Sequence, residues 1–175
     1  MFSYKKNAKF PIIEDFENAG LKFFSPDSNV TLNKTKDNNL VFRHGNEVNN
    51  FSGIIELPVN DVHNFEIKTT SPLRLNSNSA MDCFVEMNFC FTENVEIGMY
   101  CHFPNSNSKQ VTLITIIGRE NNTDWNKIYV NLAKEMKDAT AMGMTHFDIY
   151  MKSGVPKGKY ARYLFDNIKV VYQID

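Results

Sequence analysis

Between Cys83 and Phe103 the chain alternates with a period of two, and this pattern constrains the fold more than any other feature. Cys83, Val85, Met87, Phe89 and Phe91 fall on one side of an extended chain, with Phe84, Glu86, Asn88 and Cys90 on the other. After Thr92-Glu93-Asn94 the alternation resumes, with Val95, Ile97, Met99, Cys101 and Phe103 opposed to Glu96, Gly98, Tyr100 and His102. A period of two is that of a strand, and a slip of one residue would turn every apolar side chain to water. Two such runs joined by a short polar turn predict a hairpin. Its apolar face, with Val85, Met87, Phe89, Ile97, Met99 and Phe103, is expected in the core.

The remainder reads the same way. Asn is the most abundant residue and clusters between apolar runs, at Asn38-Asn39, Asn49-Asn50, Asn76 to Ser79, Asn105 to Ser108 and Asn121-Asn122. Asn tolerates positive φ and bonds its own backbone, so these clusters mark turns. Further strands are expected at 40–44, 64–70, 110–117, 127–132, 146–152 and 163–172. Only Ala133 to Met142 carries Ala, Lys, Glu and Met at helical spacing. Many short strands and one short helix predict an all-β sandwich of two antiparallel sheets, the jelly-roll class. At 175 residues the chain has room for one domain with a full core. The expected layout is a loose leader over 1–9 and a single domain over 10–175.

Composition excludes several classes. Nineteen basic against 20 acidic side chains leave a net charge of -1, so no global field collects nucleic acid or anionic lipid. The longest apolar stretch, around Val111 to Ile117, is far short of the ~18 residues of a membrane span. The three cysteines have no CxxC spacing and an odd count, which favours buried thiols, with a Cys90–Cys101 or Cys83–Cys101 bridge left open. Four histidines without HxH or HExxH spacing argue against zinc. Eight scattered glycines form no phosphate loop, and no GxSxG elbow is present. Lys152, Lys157, Lys159 and Arg162 make a local basic patch interleaved with Tyr160 and Tyr163. It reads as a solvated loop, and the neutral net charge argues against nucleic acid.

Two chemistries remain. Glycoside hydrolysis needs two carboxyls facing one another across a cleft. Glu86 and Glu96 could approach across the expected hairpin, although nothing local raises either pKa. Sugar binding needs an aromatic platform beside amides and carboxylates on one sheet face. The outer face of the expected hairpin offers Phe84, Glu86, Asn88, Tyr100 and His102, a composition shared by any mixed sheet surface. The readings are thus a non-catalytic binding domain, a glycan-active hydrolase, and a structural or protein-interaction module.

Four short segments carry a resemblance. Tyr163-Leu164-Phe165-Asp166-Asn167-Ile168-Lys169-Val170 resembles the closing strand of carbohydrate-binding-module-like jelly rolls, and Ile13-Glu14-Asp15-Phe16-Glu17 resembles their opening strand. Phe84 to Phe89 and Trp125 to Leu132 are similar to segments of secreted Bacteroidetes lipoproteins that end in such a domain. The likeness runs from about Ile12 to Tyr172. It implies an exported location, at the cell surface or in the periplasm, with a lipid anchor on the unprocessed protein. The implied partner is an oligo- or polysaccharide, bound without catalysis. First and last strands should touch near Phe16 and Ile168. A structural calcium ion would be held by Glu17 and Asp166, completed by carbonyls or water because calcium takes several oxygen ligands.

Overall fold

The computed structural model describes residues 9–26, 30–36, 51–59, 64–75, 82–105 and 107–173. The described strands are β1 (Lys9–Glu14), β2 (Phe23–Phe24), β3 (Asn33–Thr35), β4 (Ser52–Leu57), β5 (Asn64–Thr69), β6 (Leu73–Arg74), β7 (Asp82–Phe91), β8 (Val95–His102), β9 (Ser108–Ile116), β10 (Asn126–Asn131), β11 (His146–Gly154) and β12 (Ala161–Gln173). A helix, α1 (Ala133–Ala141), follows β10. One sheet, A, runs β10-β7-β12-β4-β3, with β1 also on β12. The other, B, runs β2-β5-β11-β8-β9, with β6 also on β11. All pairings are antiparallel. The result is a two-sheet jelly-roll sandwich.

The expected hairpin is corrected. Both of its runs are strands, but β7 pairs with β10 and β12 whereas β8 pairs with β11 and β9. The chain crosses from sheet A to sheet B at Thr92–Asn94, so the two apolar faces look at each other across the core instead of lying side by side. Period-two patterning reports which face is buried and is silent on the partner, so a hairpin and a crossing between sheets read alike. The true hairpin is β8–β9.

Val85, Met87, Ile97 and Met99 are fully buried, as expected, but Phe89, opposite Asn126 at the start of β10, and Phe103, just past the end of β8, are only half-buried. At the centre Phe65, Phe91, Tyr163 and Phe165 form a cluster, with Phe65 edge-on to Tyr163 at a centroid separation of 4.6 Å. Cys83, Cys90 and Cys101 are buried and outside any disulfide, so neither bridge forms. The strand expected at 40–44 and the turns at 38–39, 49–50 and 76–79 lie outside the described residues. So does most of the leader, although Lys9 already belongs to β1.

The first and last strands meet, with Glu14 opposite Ile168. β12 serves both halves of sheet A: Ala161 to Phe165 pair with β4, and Ile168 to Tyr172 with β1. The change-over is an irregularity at Asp166–Lys169, where Asn167 takes φ 50°. Opposite it, buried Phe16 has φ 60°, held by Glu14, whose carboxylate accepts the Phe16 N–H at 2.9 Å and the Lys22 N–H. The Phe16 ring lies against Gly53, where a Cβ would fall 2.4 Å from it.

Candidate binding face

The outer face of sheet B is built by four strands in register. Glu66 on β5 stands opposite Lys152 on β11, which stands opposite Glu96 on β8. Tyr150 is opposite Gly98, and Asp148 opposite Tyr100. On β9, Gln110 is opposite Tyr100 and Thr112 opposite Gly98. Alternation turns all of these away from the core.

Two tyrosines interlace over this surface. Tyr150 crosses Gly98, where a Cβ would sit 2.2 Å from its ring, so only glycine lets the ring lie flat. Its hydroxyl donates to Glu96 Oε1 at 2.6 Å and accepts from Gln110 Nε2 at 2.9 Å. Tyr100 leans the opposite way over β11 and donates to Glu66 Oε2 at 2.9 Å. The rings meet at 4.6 Å with planes tilted by 35°. Thr112 donates to Glu96 at 2.9 Å, and Lys152 Nζ sits 3.2 Å from the same carboxylate and 5.1 Å over the Tyr150 ring. Tyr150 is covered, and Tyr100 keeps part of its surface in solvent.

The electrostatics follow. Burial, then the bond to Glu66, pushes the Tyr100 phenol up; burial and Glu96 do the same to Tyr150. Burial works against ionisation of Glu96, but hydrogen bonds from Tyr150, Thr112 and Lys152 outweigh it and hold this carboxyl below the usual range. A carboxyl so held stays ionised and accepts hydrogen bonds, whereas a general acid needs its pKa raised. Beside the network, Asn64, Glu66, Asn94, Glu96, Thr115 and Lys152 line a groove of about 490 Å³, within the range of small-ligand sites. At the far end of the face His102 Nε2 lies 2.9 Å from Asp148 Oδ2, and Thr69 Oγ1 donates to Asp148 Oδ1 at 3.0 Å.

The sequence-derived residues are divided by this geometry. Tyr100 and His102 lie on the outer face of sheet B. Phe84, Glu86 and Asn88 lie on the outer side of sheet A, across the core and buried. The expected single face is therefore two. Glu86 is 2.5 Å from Lys127 and 3.6 Å from Lys169, an ion cluster stitching β7, β10 and β12. It cannot face Glu96, so the carboxylate pair weighed for hydrolysis does not assemble. Glu66, Gln110, Thr112 and Tyr150 were missed. The alternation His146, Asp148, Tyr150, Lys152 was a legible signal, but their meeting with Glu66 and Gln110 needs the pairing of β5, β11, β8 and β9. Of the basic patch, Lys152 lies on this face and Tyr163 in the core. Trp125 is half-buried just before β10.

The expected calcium ligands lie away from this face, Asp166 on β12 of sheet A and Glu17 in the connection that follows β1. Asp166 is 1% exposed; its Oδ1 accepts the Asn167 N–H at 2.7 Å, and its Oδ2 has no partner. Burial pushes its pKa up to about 7, opposed by the Asn167 bond and reinforced by the charges of Glu17 and Asp15. Glu17 accepts the Phe51 N–H at 2.6 Å. Two carboxylates are thus close enough to feel one another, and one buried oxygen is orphaned, which fits part of a hard-cation shell. Among the described residues no group of three or more His, Cys, Asp or Glu side chains is placed to hold a metal. Backbone and amide oxygens would have to supply the rest.

No protein-family model and no curated protein matches this chain. Solved structures do. The CBM22-2 xylan-binding domain of Paenibacillus barcinonensis Xyn10C superposes with a TM-score of 0.59 at 10% identity, over 93% of this chain and 99% of that one. The family 11 carbohydrate-binding module of Clostridium thermocellum Lic26A-Cel5E gives 0.56 at 10% identity, over 93% and 94%. The CBM22-1-GH10 modules of Clostridium thermocellum Xyn10B, complexed with xylohexaose, give 0.61 at 6% identity over 94% of this chain, which spans only 28% of that one. The fold of this chain is the jelly roll of carbohydrate-binding modules.

Proposed function

We propose that the protein is a non-catalytic glycan-binding module whose ligand lies on the outer face of sheet B. The Tyr100–Tyr150 pair, locked flat by Glu66, Glu96, Gln110 and Thr112, carries this reading. The half-exposed Tyr100 ring offers an apolar surface to the C–H face of a sugar, and the carboxylates, Asn64, Asn94 and Lys152 border a groove that meets hydroxyls. Because the side chains already hold one another, little conformational entropy is lost on binding. Solved relatives in fold include modules in complex with xylohexaose and with a β-1,3-1,4-mixed-linked tetrasaccharide, which makes β-linked glycans the first ligands to test. Calorimetry with these two sugars tests the proposal. Binding that Tyr100→Ala weakens at least tenfold, with the fold intact by circular dichroism, is the expected result. Binding indifferent to Tyr100→Ala would refute the site.

The placement of the domain in an exported, lipid-anchored protein and the calcium ion between Glu17 and Asp166 belong to the same proposal. The orphaned Asp166 oxygen and the neighbouring charge of Glu17 support the cation. Its role would be to neutralise those charges and clip β1 to β12. Any ion that binds only the folded state stabilises it, by about 2.7 kcal/mol at a hundredfold excess over Kd. A melting temperature that calcium raises, and Asp166→Ala renders indifferent to calcium, is expected. A melting temperature that ignores both calcium and chelator in the unsubstituted protein would overturn this part alone.

A further inference from the structure

A second depression, of about 430 Å³, lies at one end of the sandwich, on the other side of the Thr92–Asn94 crossing from the groove on sheet B. Three loops wall it: the crossing itself, the β9–β10 connection through Asn121, and the β11–β12 connection through Lys159 and Tyr160. Hydrogen bonds tie the crossing to the start of β12 and to the β9–β10 connection. Thr92 N–H donates to Arg162 O at 3.1 Å and Thr92 Oγ1 accepts the Arg162 N–H at 2.8 Å. Arg119 N–H donates to Phe91 O at 3.2 Å, and Asn94 Oδ1 accepts the Gly118 N–H at 3.1 Å. At Gly118 a Cβ would fall 2.2 Å from the Glu93 carbonyl, so the loops touch at a point only glycine permits. The depression is therefore formed before any ligand arrives.

Its lining is chemically mixed. Tyr160 is 49% exposed, and its hydroxyl is anchored on Glu56. Lys159 Nζ lies 3.0 Å from Glu93 Oε1, and the Glu120 charge also acts on it. Arg162 stands close enough for its charge to act on Tyr160. Asn121 holds φ 59° at the rim. Two acids balanced by two bases give no net field for an ion. An exposed ring beside carboxylate, amide and cationic groups is instead complementary to a neutral polyhydroxylated ring, with its C–H face on the tyrosine. The volume lies at the lower end of small-ligand sites and the depression sits among loops at the end of the sandwich, which suits one end of a saccharide chain more than its middle.

We infer that this end pocket is a second glycan site, separate from the sheet B face, which takes the terminal unit of a neutral saccharide chain through Tyr160, Glu93, Glu120 and Asn121. The inference rests on the glycan-binding reading. The isotope-labelled 175-residue chain is titrated with xylohexaose and with β-1,3-1,4-mixed-linked tetrasaccharide while backbone amide shifts are followed. At least one sugar should move the amides of Asn121 and Tyr160 as well as those of Tyr100 and Lys152. Tyr160→Ala should abolish the first set and leave the second, with Tyr100→Ala doing the reverse. Shifts confined to the sheet face would overturn the end pocket and leave the binding face standing. No shift at either place with either sugar would overturn both. Loss of the Asn121 and Tyr160 shifts on Tyr100→Ala in a folded protein would show that the pocket is no independent site.

Discussion

Replacing Gly98 with Ala tests the geometry of the binding face with one methyl group. The new Cβ would stand 2.2 Å from the Tyr150 ring, whereas ordinary contact begins at 3.4 Å, so the ring must move by more than an ångström. Tyr150 is fully buried, with Tyr100 against it on one side and the sheet on the other, so it can only tilt outward. That movement breaks the 2.6 Å bond to Glu96 and the 2.9 Å bond from Gln110. Overpacking costs about 1–3 kcal/mol, and a lost hydrogen bond to a charged group adds about 1.5–3, part of it recovered by water at this half-open site. A net loss of about 2–3 kcal/mol is expected from urea midpoints, with melting lowered by roughly 4–12 °C at the ~2–4 °C per kcal/mol usual for this size. Tyr150→Leu in the Gly98→Ala background should recover stability relative to the sum of the single changes, because the shorter side chain vacates the space. Gly98→Ala within about 0.5 kcal/mol of the parent protein would refute the crossing of Tyr150 over Gly98.

Asp166 makes stability depend on pH. Its folded pKa of about 7 lies above the ordinary 3.8, so between these values the folded state holds a proton that the unfolded state releases. Without calcium, stability should therefore fall as pH rises from about 4 to about 7, by up to about 4 kcal/mol at ~1.36 kcal/mol per pH unit; Asp166→Asn should flatten the slope, and equal slopes in denaturation series would contradict the placement. Phe165→Ala should cost about 3–5 kcal/mol from the central cluster, and Phe89→Ala clearly less because that ring is half-buried; equal costs would place Phe89 in the core after all. Cys83, fully buried and with burial driving its thiol pKa upward, should resist alkylation until the protein unfolds; rapid labelling in the native state would show an opening of β7.

The sequence by itself determined which face of β7 and of β8 turns toward the space between the sheets, because a period of two separates the two faces, although Phe84, Glu86 and Asn88 on the other face of β7 are buried as well. It also determined the strand content of the second half, the helix after β10, and the contact between first and last strands carried by the motifs around Phe16 and Ile168. The tertiary structure alone decided partners. Whether Phe91 and Val95 flank a hairpin or a crossing between sheets depends on which strands offer free edges elsewhere, and no local pattern encodes that. For this reason Phe84, Glu86 and Asn88 parted from Tyr100 and His102, and Glu66, Gln110 and Tyr150 joined them from strands distant in the chain. A binding surface on a sheet is a product of register between strands, and register is settled by the closing of the whole core.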